Sequence, residues 1–400
     1  MSSPTAAPAS DSEYGPIRTD LDVAKLKQYV EATVKGFTLR EPVYQFSFGQ
    51  SNPTYLLHST TGKRYVLRTR PPGPLLSKTA HAIDREYRIL AALAQDGSVP
   101  VPNVYHLCKD ESVIGRQWYL MEYLEGRKFE DVRMPEIETK QERQALWFSI
   151  IKTLAALHSL DPQRIGLGDF GSTAAFYPRQ IRSLSKVSSA QSAVVSSKTQ
   201  QKVGDVPSID FLLEWYSKNL PGGTHARSND KLEARIIHGD FKVDNMIFHP
   251  TEPRVIGVLD WELSTLGHPY SDLANLLQPF YVPVQADGAS MAYLRGLRGI
   301  SPKDLPIPDD ETLLRLWCQE LKGEQSVNFE RDLQQGKVWQ GCISFAFFRL
   351  AVITQGIAAR FAQGNASSAK AGTYAKIFPR IGELAKERVD VYAEGAQTKL

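Results

Sequence analysis

Cysteine is scarce: Cys108, Cys318 and Cys342 are the three in 400 residues. They lie far apart, with no CxxC and no Cys/His ligand spacing, which excludes structural zinc and a disulfide framework and points to a reducing compartment. An excess of one charge is also missing. Forty-seven Lys+Arg against 44 Asp+Glu leave +3, so no basic field speaks for a nucleic-acid partner. The most apolar stretch, residues 338–359, is broken by Gln340, Arg349 and Gln355 and falls short of the ~18 uninterrupted apolar residues of a spanning helix. It predicts a buried core helix and no membrane insertion. Residues 1–20 are rich in Ser, Pro and Ala, without the apolar core of a signal peptide or the arginines of a transit peptide; they read as a flexible tail. There are no internal repeats. What remains is an ordinary globular composition, 42% hydrophobic and 23% charged, in a chain long enough for two or three folding units at roughly 100–200 residues each.

The first third alternates strand and helix signals. Val23, Leu26, Val30 and Val34 recur at helical spacing behind Asp20 and Asp22, predicting a short capped helix that ends at Gly36. Residues 44–48, 54–58 and 64–68 are short β-rich runs separated by turn-forming segments, which predicts an antiparallel meander. A helix over about 80–94 follows, then strands within 104–114 and 118–123. Beyond Gly126 the pattern becomes helical, with Leu146, Ile150, Ile151, Leu154 and Leu157 marking one long amphipathic helix. Residues 236–237, 246–248 and 255–259 form a small β patch inside this helical part. Residues 183–204 are rich in Ser, Gln and Lys without periodicity and predict a mobile insertion.

Chemistry concentrates in that β patch. His238-Gly239-Asp240-Phe241-Lys242-Val243-Asp244-Asn245 sets an aspartate and an asparagine five apart on a loop leaving a strand, and Asp260-Trp261-Glu262 closes a second short strand fifteen residues after Asn245. Phosphoryl transfer needs a carboxylate that positions the attacking hydroxyl and oxygen ligands for Mg2+ on the phosphates. Asp240 fits the first role, and Asn245 and Asp260 the second.

These segments resemble the aminoglycoside phosphotransferase family, a small-molecule branch of the protein-kinase-like fold. Gly49-Gln50-Ser51-Asn52-Pro53-Thr54, Tyr65-Val66-Leu67-Arg68, Asp84-Arg85-Glu86-Tyr87 and Leu259-Asp260-Trp261-Glu262-Leu263 are similar in particular to the kinase domains fused to some acyl-CoA dehydrogenases. The resemblance implies a two-lobed α+β fold: a tail over 1–20, an antiparallel-sheet N-lobe over 21–123, and a mostly helical C-lobe over 124–400 with an insertion at 168–232. It implies ATP and Mg2+ as cofactors, a small-molecule hydroxyl as acceptor, and Lys242 at the transferred phosphate. Glu122 and Leu124 resemble the hinge that meets the adenine edge. Ser51 and Asn52, with backbone N–H groups, would cradle phosphate in place of a three-glycine loop. Glu86 lies on the apolar face of its helix and needs a cation, for which Arg68 at the end of the third strand is the candidate; it stands where protein kinases carry lysine, a different phosphate geometry.

The fused kinases imply fatty-acid chemistry and a hydroxyacyl-CoA or hydroxy acid as acceptor, with an acyl-CoA dehydrogenase as a separate pathway partner. Arg179 and Arg182 in the insertion, with Lys186, Lys198 and Lys202 and no matching density of acids, predict an anionic substrate and disfavour aminoglycosides and choline-like alcohols. A nucleotide- or acyl-CoA-binding module without turnover is the alternative, opposed by the presence of Asp240, Asn245 and Asp260 together. His158 reads as a satisfied core histidine. Asp272 reads equally as a helix N-cap or as a brace for the catalytic loop and stands outside the predicted site. Finally, Thr398-Lys399-Leu400 is one residue from the Ser-Lys-Leu peroxisomal address, which predicts a peroxisomal location, with the cytoplasm as alternative.

Overall fold

The structure is a computed structural model that describes residues 13–47, 52–71, 82–225, 234–284, 294–322, 327, 333, 336–364, 372 and 375–397. Ser51 and residues 398–400, to which the sequence assigns phosphate binding and an import signal, lie outside the described residues.

Along the chain come β1 (Tyr14–Gly15), α1 (Val23–Thr33), β2 (Leu39–Phe46), β3 (Thr54–Ser59), β4 (Arg64–Thr69), α2 (Ile83–Asp96), β5 (Val104–Cys108) and β6 (Trp118–Glu122). The helical part supplies α3 (Lys140–Ser159), α4 (Phe176–Ser192) and α5 (Ile209–Asn219). Four short strands follow, β7 (Arg235–Ile237), β8 (Met246–Phe248), β9 (Val255–Val258) and β10 (Thr265–Gly267). The last helices are α6 (Tyr270–Leu277), α7 (Asp310–Glu320), α8 (Lys337–Ala362) and α9 (Phe378–Gln397). These elements divide into two compact units. One holds the chain up to Arg127 with Ile247–Pro250 and Ile256–Leu263; the other holds Lys128–Met246, Thr251–Val255 and the chain from Ser264 onward.

The first unit is built on a sheet in the order β1-β2-β3-β4-β6-β5, antiparallel throughout. Strand alternation divides its two faces. Tyr65 and Leu67 of β4 and Trp118 and Leu120 of β6 join Leu26 and Val30 of α1 in one core, so α1 is held by its apolar stripe rather than by propensity. The intervening residues, Val66 and Arg68 of β4 and Tyr119 and Met121 of β6, stand on the other face, and α2 packs against β5 and β6. Arg68 thus reaches a buried position because its register puts it there, opposite Tyr119.

The second unit is mainly helical. α8 is long and apolar enough, by length and composition, to cross a membrane, yet most of it is buried inside the protein, with Trp339, Cys342, Ile343, Phe347, Phe348 and Val352 fully covered. It packs against α4, α6 and α9, while α3 packs against α7. Strands β7 and β10 pair antiparallel, with Ile237 opposite Thr265.

Three expectations need correction. Residues 13–20 are not a loose tail: Tyr14–Gly15 pair with Phe46 and Gln45, the Arg18 amide donates to Gln45 Oε1 at 2.7 Å, and Arg116 Nη2 donates to the Asp20 carbonyl at 2.6 Å. The segment covers backbone groups of β2 that would otherwise form an open edge. Residues 183–192 are helical, the second half of α4. Ser188 is fully buried and donates to Gln355 Oε1 at 2.8 Å, and Gln355 Nε2 donates to the Gly204 carbonyl at 2.8 Å. Most of the run is exposed or half-buried, as a polar run predicts, but Ser188 has its partner on a distant helix, which local sequence does not show. Lastly, the chain does not divide once at residue 124, since the first unit runs to Arg127 and takes in the hairpin and turn of residues 247–250 and 256–263. The backbone pairing of Arg127 with Phe248, at 2.8 and 2.9 Å, holds the hairpin there.

That junction tolerates only glycine. A Cβ on Gly126 would lie 2.2 Å from the Phe248 carbonyl oxygen and 2.6 Å from Ile247 Cγ2. Gly126→Ala is therefore expected to lose about 2 kcal/mol of stability through overpacking, read as a lower urea midpoint; an unchanged midpoint would show that the strap is not in close contact with the hairpin.

Candidate active site

In the first unit Arg68 is enclosed by three carboxylates. Its Nε lies 3.0 Å from Glu86 Oε2, and its Nη2 donates to Asp260 Oδ1 at 2.5 Å and Glu262 Oε2 at 3.3 Å. β4 brings the arginine, the first turn of α2 brings Glu86, and the turn after β9 brings both remaining acids. Burial works against the Arg68 charge, but Glu86, Tyr119, Asp260 and Glu262 outweigh it and hold the guanidinium protonated. Burial pushes the Glu86 carboxyl up, to about 7, against the pull of Arg68 and with the push of Asp260 and Glu262. One cation cannot fully satisfy three anions, of which Glu86 is buried and Glu262 and Asp260 are partly exposed. Among the described residues Arg68 Nε, both Glu86 oxygens and the Tyr119 hydroxyl are buried without an aligned hydrogen-bond partner. The negative charge of Glu86, Asp260 and Glu262, only partly offset by Arg68, is what a hard divalent cation would offset.

The backbone records the same pressure. Asp260 has φ +66°, a left-handed conformation in which a non-glycine residue is held at a cost that clusters at functional positions. Asn52 is buried and donates from Nδ2 to Glu262 Oε2 at 3.1 Å, so it belongs to this cluster. Glu122 ends β6 and Leu124 follows two residues on. The Glu122 carboxylate accepts from the Asn103 amide and side chain at 3.2 and 2.7 Å, and Leu124 lies over Gly257, where an added Cβ would be 2.0 Å from Leu124 Cδ1.

The second unit carries the loop between β7 and β8. Asn245 Nδ2 donates to the Asp240 carbonyl at 2.9 Å and to Asp240 Oδ2 at 3.1 Å. Lys242 Nζ stands 3.3 Å from Asp240 Oδ2 and 3.4 Å from Asp244 Oδ2. Burial raises the Asp240 carboxyl, but Lys242, Arg349 and His238 together bring it below the usual carboxylate range. Asp240 is thus a desolvated carboxylate that stays ionised, the state a hydroxyl-positioning base requires. Lys242 is likewise kept protonated by Asp240 and Asp244 in spite of burial.

Asp272, outside the predicted site, proves to anchor this loop. From the first turn of α6 its carboxylate accepts the amides of His238 and Gly239 at 2.7 and 2.8 Å. Asn275, one turn on, donates to the Phe241 carbonyl at 3.1 Å. His158 stands behind Asp272, its Nε2 3.5 Å from Oδ2, and receives the Trp317 indole N–H on Nδ1 at 3.2 Å. Burial keeps His158 below the usual histidine range, against the pull of Asp272. His238 braces the loop, accepting the Asp240 amide on Nδ1 at 3.2 Å. Arg179, expected to bind acceptor, spends its guanidinium on three carbonyls, those of Ala174, Ser172 and Leu266, at 3.1, 3.1 and 3.2 Å. It fastens the insertion to β10. Arg182 is exposed on α4. The signals for Asp272 and Glu262 were in the sequence as single acids near motifs, but only folding shows what their oxygens accept.

A unit with a six-stranded antiparallel sheet and a buried strand-arginine on a helix-glutamate, and a helical unit with an Asp-x-x-x-x-Asn loop, together define a phosphotransferase of protein-kinase-like α+β fold. Residues 43–336 match the phosphotransferase enzyme family, and the chain belongs to that family. The chain is 37% identical over 356 residues to the probable acyl-CoA dehydrogenase IBR3 of Arabidopsis thaliana, covering 87% of this chain and 40% of that protein. It is 36% identical over 366 residues to human acyl-CoA dehydrogenase family member 11, covering 90% and 42%. The chain therefore spans less than half the length of these curated relatives. A crystal structure from Ralstonia eutropha that carries the name aminoglycoside phosphotransferase superposes with a TM-score of 0.73 at 35% identity, covering 92% of this chain and 98% of that one. At 15% identity, amicoumacin kinase in complex with AMP-PNP and Ca2+ shares the fold, with a TM-score of 0.52.

If Asp272 anchors the loop, Asp272→Ala strands the buried His238 N–H and the half-buried Gly239 N–H and is expected to cost about 3 kcal/mol, measured by urea denaturation. His158, lowered in the folded state, binds fewer protons there than when unfolded. Stability is then expected to fall as pH drops below the unfolded histidine value of 6.5, and His158→Gln should flatten that limb of the profile. A limb unaltered in the variant would place the titration elsewhere.

Proposed function

We propose that this chain transfers the terminal phosphoryl group of Mg-ATP to the hydroxyl of a small anionic acceptor, a hydroxy acid or hydroxyacyl-CoA. The observation that carries the reading is Asp240: a half-buried carboxylate kept ionised by Lys242, Arg349 and His238 and tied through Asn245 to its own loop. Asp240 accepts the hydroxyl hydrogen bond and takes its proton as the acceptor oxygen bonds to phosphorus and the bond to the ADP oxygen breaks. Lys242 offsets charge on the transferred group. Asn245 commits Nδ2 to Asp240, which leaves Oδ1 as its metal-ligand atom. Asp260 supplies a carboxylate ligand, and Mg2+, when bound, neutralises phosphate oxygens. Arg68, oriented by Glu86, offers its guanidinium to phosphate, and Asn52 supports the same cluster through Glu262. Glu122, at the end of β6, and Leu124, two residues on, are assigned to the adenine edge.

The acyl acceptor is supported by the acyl-CoA dehydrogenase names of the relatives at 36–37% identity and by the cationic α4 segment. A separate acyl-CoA dehydrogenase is the proposed pathway partner. A peroxisomal location is proposed from the C-terminal Thr-Lys-Leu alone.

Asp240→Asn is expected to lower kcat by at least about 100-fold while Mg-ATP affinity stays within about twofold, since general-base positioning contributes 100-fold or more and no metal ligand is removed. Turnover near wild type would rule out this mechanism. Asp260→Ala is expected instead to weaken Mg-nucleotide binding by about tenfold or more in calorimetry. Normal Mg-ATP affinity in that variant would move the metal site elsewhere.

A further inference from the structure

Arg349 is the only charged residue between Lys337 and Arg360 on α8, in a helix otherwise committed to the core. Phe345 and Val352, one turn away on either side, and the adjacent Phe348 are buried, whereas Arg349 is half-buried. Among the described residues its guanidinium makes no hydrogen bond and no ion pair, although its field is felt at Asp240. A partly desolvated, unpaired arginine is unfavourable unless something completes it.

Its surroundings are those of the catalytic loop. α8 packs against α6, the helix whose Asp272 and Asn275 hold residues 238–241. It also packs against α4, which runs in the same direction: Tyr177 meets Phe345 edge-on at 5.3 Å, and eleven residues later Ser188 bonds Gln355 at 2.8 Å. Arg182 is five residues past Tyr177, and Arg349 four past Phe345. At 1.5 Å per residue both stand about 6–8 Å beyond that aromatic pair, at one level of the two helices. Arg182 is exposed and, among the described residues, also without a hydrogen-bond or ion-pair partner.

We propose that Arg349, seconded by Arg182, binds the oxyanion of the acceptor, a carboxylate or phosphate, and so selects anionic hydroxyl compounds at Asp240. The inference rests on the phosphotransferase reading and adds the residues that choose its acceptor. Arg349 is of the type that grips oxyanions with two donors, and its charge disfavours polycationic acceptors.

The test compares wild type, Arg349→Ala, Arg349→Lys and Arg182→Ala on a medium-chain hydroxy acid, its neutral methyl ester and its CoA thioester, with thermal unfolding to confirm the fold. Arg349→Ala is expected to lower kcat/KM for the acid by about tenfold or more, through KM, with the ester changed less than about twofold. Arg349→Lys is expected to restore part of the loss, and Arg182→Ala to give a smaller one. A loss confined to the thioester identifies the oxyanion as a CoA phosphate and supports the proposal. Equal losses on acid, ester and thioester, or none, would overturn it. Calorimetry of the same compounds with AMP-PNP present separates the two readings. If wild type binds the acid or thioester more tightly than Arg349→Ala but transfers no phosphate, the phosphotransferase reading fails and the subsite stands; equal affinities overturn the subsite even where transfer occurs.

Discussion

A single buried guanidinium organises the first unit. Arg68 is one cation among three carboxylates, delivered by a strand, a helix and a turn that are far apart in sequence. Burying that many charges is costly, and removing one partner of such a group leaves an uncompensated charge behind. The cluster therefore fixes the register of β4 against β6, the angle of α2 and the position of the Asp260 turn at once. Among the described residues it also holds buried polar atoms, Arg68 Nε, both Glu86 oxygens and the Tyr119 hydroxyl, without an aligned hydrogen bond. The surplus of negative charge around one arginine that constrains the fold is also what a divalent cation would offset.

The second unit solves a different problem, how to hold a short irregular loop. Loop amides have no ladder partners, and Asp272 accepts two of them, from His238 and Gly239. Behind it, His158 and Trp317 fill the remaining space with a neutral ring whose two nitrogens both face polar groups. The result is that Asp240 sits on rigid support although its own segment has almost no regular structure, which is what preorganised catalysis by positioning requires.

Family membership and the protein-kinase-like fold bear out what the motifs imply, and for a plain reason. Periodicity is local, so β3, β4, α2 and β6 fall close to where alternating and 3.6-residue patterns put them. The Asp-x-x-x-x-Asn and Asp-Trp-Glu segments are contiguous, so their identity needs no folding. Polar, aperiodic stretches mislead for the opposite reason. Ser188 reads as one more solvated serine until Gln355 of a distant helix supplies its buried partner, and Arg179 reads as a free cation until three carbonyls claim it.

By itself, then, the sequence determined the family, the fold class and most of the strongly periodic elements. Tertiary structure alone decided which charges are spent and which remain. Arg68 became the centre of a carboxylate cluster because strand register and α2 brought its partners together. Arg179 and Arg349 carry the same side chain on neighbouring helices, yet one is consumed by backbone oxygens and the other, among the described residues, makes no hydrogen bond or ion pair. Charge is a property of a residue, but its availability depends on which groups from elsewhere in the chain arrive within hydrogen-bonding distance, and that is settled only by packing.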